Sequence, residues 1–240
     1  MKRTFFWLAV VGVVFGSSCA TVDESNKYET VNPVPRTGWW LERFEEVNAR
    51  VRRAQDTELI FIGDSITQRW EWENGGAAVW EEYYGHRKAL NLGFGGDRTQ
   101  NVLWRLEQGN IQGLNPKVAV LMIGTNNARH NTSEETATGI VAICRKLRSK
   151  LAETKILLLA IFPRGERPNE LRAKNEGASR LARKIADGKM IHYLDIGSEF
   201  LEPDGSISKK MMFGYIHPTP KGYRVWAEAM EPKLAELLAD

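Results

Sequence analysis

The strongest constraint on the fold is the alternation of short apolar runs with longer segments of helical periodicity. The apolar runs are too short for helices, and each one ends at glycine or polar residues. Strands that alternate with helices pair in parallel, and a parallel sheet is covered on both faces. The pattern therefore predicts one α/β domain over residues 39–240, a three-layer α/β/α sandwich around a five-stranded parallel sheet. The predicted strands lie in 58–65, 88–96, 117–127, 155–165 and 190–197.

The N-terminal residues have the composition of a secretory signal peptide. Lys2 and Arg3 precede an apolar run over residues 5–15, and small residues follow it. A run of this length is too short to remain in a bilayer as a spanning helix. We therefore expect a signal peptide over residues 1–20, cleaved after Ala20, and an exported protein.

Cys19 supports a second interpretation of the N-terminus. A cysteine directly after the apolar run is where bacterial lipoproteins carry their lipid, so a membrane-anchored lipoprotein is an alternative.

The polar residues 21–38, with Pro33 and Pro35, are predicted to form a linker. The exported part keeps Cys144, and Cys19 only in lipidated form, so no intrachain disulfide is expected. Cys144 lies at apolar helical spacing and is predicted to be a buried thiol.

Charge and motif spacing exclude several classes of function. Removal of residues 1–20 lowers the net charge from +3 to +1, and no basic stripe indicates nucleic acid as a partner. The histidines lack metal-ligand spacing, so neither a metal nor another cofactor is expected. Gly93 and Gly95 follow a predicted strand, but Arg98 stands where the dinucleotide-binding pattern has its third glycine.

Residues that suit acyl transfer follow the ends of several predicted strands. In an open parallel sheet, ligands bind beyond the carboxyl ends of the strands. Ser65, Gly96 and Asn126 follow the first three strands, and His217 precedes the last helix. Together they supply a nucleophile, oxyanion donors and a base. Taken singly, Ser65 could cap a helix, Asn126 could form a turn, and His217 could lie on a surface loop.

The order of these residues resembles that of the SGNH (GDSL-type) hydrolases, which have a flavodoxin-like fold. The family's marks are Ser in GDS, Gly in a glycine-rich block, Asn in GxN and a late His; the corresponding residues here are Ser65, Gly96, Asn126 and His217. The segments ALNLGFGGDRTQNVLWRLEQGN and FPRGERPNELRAKNE look like the branch of the catalytic subunits of intracellular platelet-activating-factor acetylhydrolase. The likeness covers nearly all of residues 58–238. The G-x-S-x-G elbow of α/β-hydrolases is absent.

The resemblance implies a serine esterase that works by double displacement. His217 would take the proton from Ser65 as it attacks the ester carbonyl. The oxyanion would be held by the backbone N–H groups of Ser65 and Gly96 and by the side-chain amide of Asn126. Short acyl groups, acetyl above all, are the implied substrates.

One position departs from the family's pattern. The family has an aspartate three residues before the catalytic histidine, where this chain has Gly214. In comparable triads the loss of this acid costs about 10⁴ in kcat. A backbone carbonyl or water could orient His217 in a Ser-His dyad, another carboxylate could substitute, or activity could be weakened or lost. The nearest upstream candidates for a substitute are Asp195, Glu199 and Asp204.

Residues that flank the nucleophile and the base bear on the substrate. Asp64 is predicted to brace the turn before the nucleophile. Ile66 and Ile216 either line a small acyl pocket or only pack the loops. Trp70 and Trp72 either stack on a sugar ring or belong to the core. The favoured interpretation is an exported deacetylase of carbohydrate esters.

Two other classes of function stay open at this point. A lysophospholipase or thioesterase of the same fold is compatible with every motif above. A non-catalytic ligand-binding protein could have kept the fold after losing the family's aspartate. The oligomeric state is also open, although the intracellular relatives form dimers and a homodimer is therefore one expectation.

Overall fold

Five parallel strands form the central sheet in the computed structural model, which describes Met1 and residues 27–239. The strands are β1 (Leu59–Gly63), β2 (Ala89–Gly93), β3 (Val118–Met122), β4 (Lys155–Leu159) and β5 (Ile191–Leu194). Their order in the sheet is β2-β1-β3-β4-β5. The predicted five-stranded parallel sheet is therefore confirmed, and β1 lies between β2 and β3.

Helices cover both faces of this sheet, which confirms the predicted three-layer α/β/α sandwich. They are α1 (Trp39–Arg53), α2 (Ser65–Gln68), α3 (Ala77–Tyr84), α4 (Thr99–Glu107), α5 (Ser133–Lys150), α6 (Glu170–Ala182) and α7 (Pro220–Ala239). A short antiparallel hairpin of β6 (Met212–Phe213) and β7 (His217–Pro218) precedes α7. Across residues 27–239, none of these helices is long and apolar enough to cross a membrane.

Strand β1 shows how the sequence divides the core between the two faces. Successive side chains of a strand point to opposite faces of its sheet. Ile60 and Ile62 belong to the core cluster that contains the buried faces of α1, α4, α5 and α6. Leu59 and Phe61 belong to the cluster beneath α3 and α7. All four side chains are buried, as expected for a central parallel strand.

The N-terminal segment that the composition assigns to a linker is docked on the domain where the structure describes it. Thr30 is fully buried, its hydroxyl donates to the carbonyl of Glu135 at 2.7 Å, and its own carbonyl accepts from the Thr99 hydroxyl at 2.8 Å. The linker prediction therefore does not hold over residues 28–36, because contacts with distant segments fix this stretch. Residues 2–26, with the predicted signal peptide and Cys19, lie outside the described residues.

Cys144 is fully buried among the apolar side chains of the helical layer. Burial raises the pKa of its thiol to about 12, so the thiolate is disfavoured at neutral pH. The prediction of a core thiol is confirmed.

Candidate active site

Three neighbouring strands, β2, β1 and β3, end side by side and bring three of the predicted site residues to the carboxyl edge of the sheet. The last residues of β1 and β2 are paired in register, and the end of β1 also pairs with the end of β3. Ser65, Gly96 and Asn126 each lie a few residues beyond one of these strand ends. The edge is therefore assembled by strand register, although the residues are far apart in the chain.

Asp64 holds the turn that presents Ser65. It caps helix α2, and its Oδ1 accepts a hydrogen bond from the N–H of Ile66 at 2.9 Å. The carboxyl group is fully buried, and this burial raises its pKa to about 7, which favours the neutral form below that pH. The prediction that Asp64 braces the turn is confirmed. Ser65, the next residue, stays half-buried.

His217 lies opposite Ser65 although 152 positions separate the two residues. The Ser65 Oγ and the His217 Nε2 are 2.9 Å apart, which is hydrogen-bond distance. His217 begins β7 and pairs with Phe213 across the hairpin. The hydroxyl of Tyr223 donates to the carbonyl of Ile66 at 2.6 Å, which ties α7 to the segment that carries the nucleophile.

No carboxylate orients the imidazole of His217 within residues 27–239. Among the described residues, no carboxylate oxygen lies within 4.0 Å of a ring nitrogen, and Nδ1 forms no hydrogen bond with a protein acceptor. The three upstream candidates each accept a hydrogen bond from a neighbour one or two residues away instead. They are Asp195, Glu199 and Asp204, all exposed. The structure therefore gives no support to a substitute carboxylate.

Gly214 occupies the position of the missing aspartate in a left-handed turn. Its φ is +58°, and that of the following Tyr215 is +57°. A Cβ built on Gly214 would meet no heavy atom within 4 Å. A side chain at position 214 would have space, but a residue other than glycine would be strained at this φ. Aspartate and asparagine tolerate the left-handed conformation better than most residues.

We expect the acid limb of kcat/KM for a neutral ester to have its midpoint near pH 4. Burial lowers the pKa of His217 to about 4, helped by the positive charges of Arg69 and Arg164. The imidazole is then neutral, and able to accept a proton, at any pH well above that value. A pH–rate profile with p-nitrophenyl acetate measures the limb. A midpoint between pH 6 and 7, roughly the ordinary histidine range, would contradict this account.

The hydrogen bonds of the three predicted oxyanion donors show which of their N–H groups remain available to a ligand. Among the described residues, the backbone N–H groups of Ser65 and Gly96 donate no hydrogen bond to a protein acceptor. The Nδ2 of Asn126 donates one hydrogen to the carbonyl of Asp97 at 2.9 Å, which leaves its second hydrogen for a ligand. Gly96 has a φ of +75°, a conformation that glycine adopts without cost. Each of the three predicted donors therefore keeps one N–H group without a protein acceptor among the described residues, as an oxyanion site requires.

A buried polar network below the Gly96 loop fixes these donors. Asp97 is fully buried, with its Oδ1 accepting from the Trp40 Nε1 at 2.6 Å and its Oδ2 from the Arg105 Nε at 2.8 Å. Arg105 is equally buried, and its guanidinium carbon lies 4.0 Å from the centroid of the Phe94 ring. Breaking a buried ion pair on one side typically costs about 3–5 kcal/mol, so the loop is strongly held.

The N-terminal segment supplies a further contact to this loop that the sequence did not reveal. The Arg36 Nη1 donates to the carbonyl of Gly95 at 2.6 Å and lies 3.7 Å from the Asp97 carboxylate. Trp39, half of whose surface is exposed, stacks on Arg36 with 5.6 Å between the guanidinium carbon and the ring centroid. The only sequence signal was the Trp-Trp pair at the start of α1, of which one residue is buried and the other exposed.

The predicted substrate-binding residues divide between the core and the surface. Ile66 is 1 % exposed and packs in the cluster beneath α3 and α7, so it is a packing residue and does not line an open acyl pocket. Trp70 is also 1 % exposed, with Tyr223 at 4.5 Å between ring centroids, so of its two interpretations the structure supports core packing and not sugar stacking. Ile216 is half-buried beside the base, and Trp72 keeps 39 % of its surface exposed.

Comparison of the sequence with known families and proteins gives consistent matches. The profile of the GDSL-like lipase/acylhydrolase family matches residues 61–225. The chain is 35 % identical over 216 residues to human platelet-activating factor acetylhydrolase IB subunit alpha1, covering 90 % of this chain and 91 % of that protein. It is 37 % identical over 188 residues to the alpha2 subunit from mouse, covering 78 % and 80 %.

Solved structures of similar fold include two bacterial proteins. A member of the lipolytic G-D-S-L family from Veillonella parvula superposes with a TM-score of 0.64 and 19 % identity, over 74 % of this chain and 98 % of that one. A catalytic mutant of an acetylxylan esterase from Geobacillus stearothermophilus superposes with a TM-score of 0.57 and 20 % identity, over 75 % and 94 %. At these identities the likeness shows a shared fold.

Proposed function

The chain belongs to the GDSL-like lipase/acylhydrolase family, and on that premise we propose that it hydrolyses short-chain carboxylic esters, acetyl esters above all, through an acyl-enzyme on Ser65. The observation that carries this proposal is the 2.9 Å contact between Ser65 Oγ and His217 Nε2 at the carboxyl edge of the sheet. A nucleophile and a base at this distance, beside free N–H donors, are what acyl transfer requires.

The first half of the reaction forms the acyl-enzyme. His217 Nε2 takes the proton of Ser65 as Oγ forms a bond to the ester carbonyl carbon. The carbonyl oxygen becomes an oxyanion that accepts hydrogen bonds from Ser65, Gly96 and Asn126, and loss of one such donor typically costs about 10²–10³ in kcat. The bond between the carbonyl carbon and the alkoxide oxygen then breaks, and the imidazolium gives its proton to that oxygen, which leaves as the alcohol.

The second half releases the acid. Water gives a proton to His217 Nε2 and attacks the acyl carbon, and the bond to Ser65 Oγ breaks with return of that proton. The imidazole acts here without an orienting carboxylate, as a Ser-His dyad. The neutral imidazole that its lowered pKa maintains is the form that both halves need as base.

The preference for acetyl esters rests on two kinds of support. The named relatives are platelet-activating factor acetylhydrolase subunits, and a neighbour in fold is an acetylxylan esterase. Ile216, half-buried next to the base, is the residue that we propose limits the acyl chain. Trp72 is exposed one turn beyond α2, which supports an alcohol part of carbohydrate type because an indole face stacks on the apolar face of a sugar.

We expect kcat/KM to fall by about tenfold or more from p-nitrophenyl acetate to the octanoate, since a short pocket excludes the additional methylene groups. Release of acetate from acetylated xylooligosaccharides, followed by an enzyme-coupled assay, tests the carbohydrate part, and the Trp72→Ala variant serves as the comparison. Equal or faster turnover of octanoate would refute the acetyl preference and favour a lysophospholipase.

Export is part of the same proposal. It rests on the charge and apolar pattern of residues 1–20, with a lipid anchor on Cys19 as the alternative. Mass spectrometry of the mature protein from a bacterial host separates the two, because cleavage after Ala20 and lipidated Cys19 give different N-termini. An uncleaved N-terminus would contradict both.

A further inference from the structure

Arg69 lies on the same face of the chain as the nucleophile. Its backbone N–H bonds to the carbonyl of Ser65, four residues earlier, at the end of α2. Residues four apart on a helical turn are neighbours, with about 5–6 Å between their Cβ atoms. The charge of Arg69 also lowers the pKa of His217, which independently places the guanidinium near the base.

Two exposed aromatic rings hold the Arg69 side chain at the rim of the site. Its guanidinium carbon is 4.4 Å from the ring centroid of Trp72 and 5.8 Å from that of Phe213. Phe213 is 66 % exposed and is the residue paired with His217 across the β6–β7 hairpin. Stacking fixes the plane of a guanidinium but leaves its N–H groups at the edge free to donate.

The guanidinium of Arg69 has no acceptor in the part of the chain that the structure describes. No carboxylate lies within 4.0 Å of it, and it donates no hydrogen bond to the protein. The nearby acid Glu71 is committed elsewhere, because its two oxygens pair with Arg43 at 3.1 Å and Arg50 at 2.9 Å. Arg164, whose charge also lowers the pKa of His217, donates to the carbonyl of Thr125 at 2.7 Å.

The Arg69 side chain is not needed to shape its own loop. The carbonyl of Arg69 accepts from the N–H of Trp72 at 3.2 Å and of Gly76 at 2.9 Å, and these backbone bonds close the turn. A change at the end of the side chain therefore leaves the loop's hydrogen bonds in place.

We propose that Arg69, held between Trp72 and Phe213, binds an anionic group on the alcohol part of the substrate, so that the preferred esters carry a carboxylate or phosphate close to the scissile bond. This proposal rests on the proposed esterase function and adds the charge of the substrate to it. A guanidinium donates two parallel hydrogen bonds to either oxyanion, and charge-assisted bonds of this kind are among the strongest in proteins. Its positive charge also attracts an anion to the site before contact.

The test compares esters that differ in charge. Methyl 4-acetoxybenzoate is neutral, 4-acetoxybenzoate carries a carboxylate, and 4-acetoxyphenyl phosphate carries a phosphate. The readout is the ratio of kcat/KM for each anionic ester to that for the neutral one, measured for the wild type and for Arg69→Gln. Dividing the wild-type ratio by the variant ratio cancels the intrinsic reactivity of each ester. The larger of the two quotients identifies whether carboxylate or phosphate is the preferred anion.

We expect Arg69→Gln to lower the ratio of kcat/KM for an anionic ester to that for the neutral ester by about tenfold to a hundredfold. This is the typical effect of losing one charge-assisted hydrogen bond to a substrate. Arg69→Lys, which keeps the charge, should lose less. Arg129→Gln is the matched control, because it removes an exposed positive charge near Arg164 and should leave the ratio unchanged. Circular dichroism establishes that each variant is folded. A uniform loss on all three esters, with the ratio unchanged, would overturn the proposal and leave Arg69 a structural residue.

Binding separates failure of this inference from failure of the proposed function. In the Ser65→Ala background, calorimetric titration with 4-acetoxybenzoate needs no turnover. Affinity that is lost on adding Arg69→Gln supports the anion site even if the wild type hydrolyses none of the esters, in which case only the esterase proposal fails. Hydrolysis of the neutral ester together with binding of 4-acetoxybenzoate that does not depend on Arg69 would refute the anion site alone.

Discussion

Replacing Ser65 by alanine should lower kcat for p-nitrophenyl acetate by about 10⁴-fold or more. The substitution removes the nucleophile and leaves the oxyanion donors in place, and loss of a serine nucleophile in comparable enzymes costs at least this much. The side chain is half-buried, and its hydrogen bond within the described residues is the one to His217, so the fold should be preserved. The measurement compares initial rates of the two proteins per amount of folded protein, and thermal unfolding establishes that both are folded.

Ser198→Ala is a suitable control for this experiment. Ser198 is exposed, and within the described residues its hydroxyl forms a single hydrogen bond, to the neighbouring Glu199 at 3.5 Å. This variant should keep wild-type kcat. If Ser65→Ala retained activity within about tenfold of the wild type, hydrolysis would proceed without an acyl-enzyme on Ser65, and the proposed mechanism would be wrong.

Gly214→Asp should raise kcat by about tenfold or more. A carboxylate three residues before His217 would accept a hydrogen bond from Nδ1–H and stabilise the imidazolium. Removal of such an acid lowers kcat by about 10⁴ in comparable triads, so the gain in kcat should not exceed this factor. The structure leaves space for the side chain, since a Cβ on Gly214 meets no atom within 4 Å. The φ of +58° limits the gain, because the left-handed conformation costs a non-glycine residue about 1–2 kcal/mol.

The same variant should move the acid limb of kcat/KM upward from near pH 4. A negative charge close to the imidazole favours its protonated form, so the pKa of His217 rises and the neutral base is lost at a higher pH than in the wild type. The pH–rate profiles of the two proteins, recorded together, measure this shift.

Gly214→Asn separates the charge from the backbone effect. Asparagine has nearly the same shape and a similar tolerance of positive φ, but carries no charge. It should leave the acid limb near its wild-type position and raise kcat little. An equal gain from asparagine, or a lower rate in a folded Gly214→Asp protein, would show that an orienting carboxylate is not what limits this site.

The strands and most helices could be predicted because their signals are local. An apolar run ending at Gly63 or Gly93 needs no knowledge of the rest of the chain, and parallel pairing follows from the helices between the runs. The hairpin of β6 and β7 was not predictable in this way, because two-residue strands have no periodicity. The docking of Thr30 was missed for another reason: its partners lie on α4 and α5, far along the chain.

The site shows the same division between local and distant signals. Ser65, Gly96, Asn126 and His217 were recognisable because each has a characteristic neighbourhood in sequence. Burial of Ile66 was not, because an isoleucine beside a nucleophile fits a pocket and a core equally well.

Arg69, Arg36 and the Asp97 network carry no motif at all. Their roles depend on partners such as Phe213 and Trp40, which the fold alone brings within reach. The absence of an aspartate at Gly214 was plain from the sequence, but the lack of any replacement around His217 required the structure.

Labelling with a fluorophosphonate probe, read by intact mass, tests the central claim that Ser65 and His217 form a working dyad without an orienting carboxylate. The account predicts a single adduct on the folded wild-type protein, located at Ser65 by peptide mapping, much slower labelling of His217→Gln, and none of Ser65→Ala. An unlabelled wild type under conditions that label a known serine esterase, or an adduct on another residue, would contradict it.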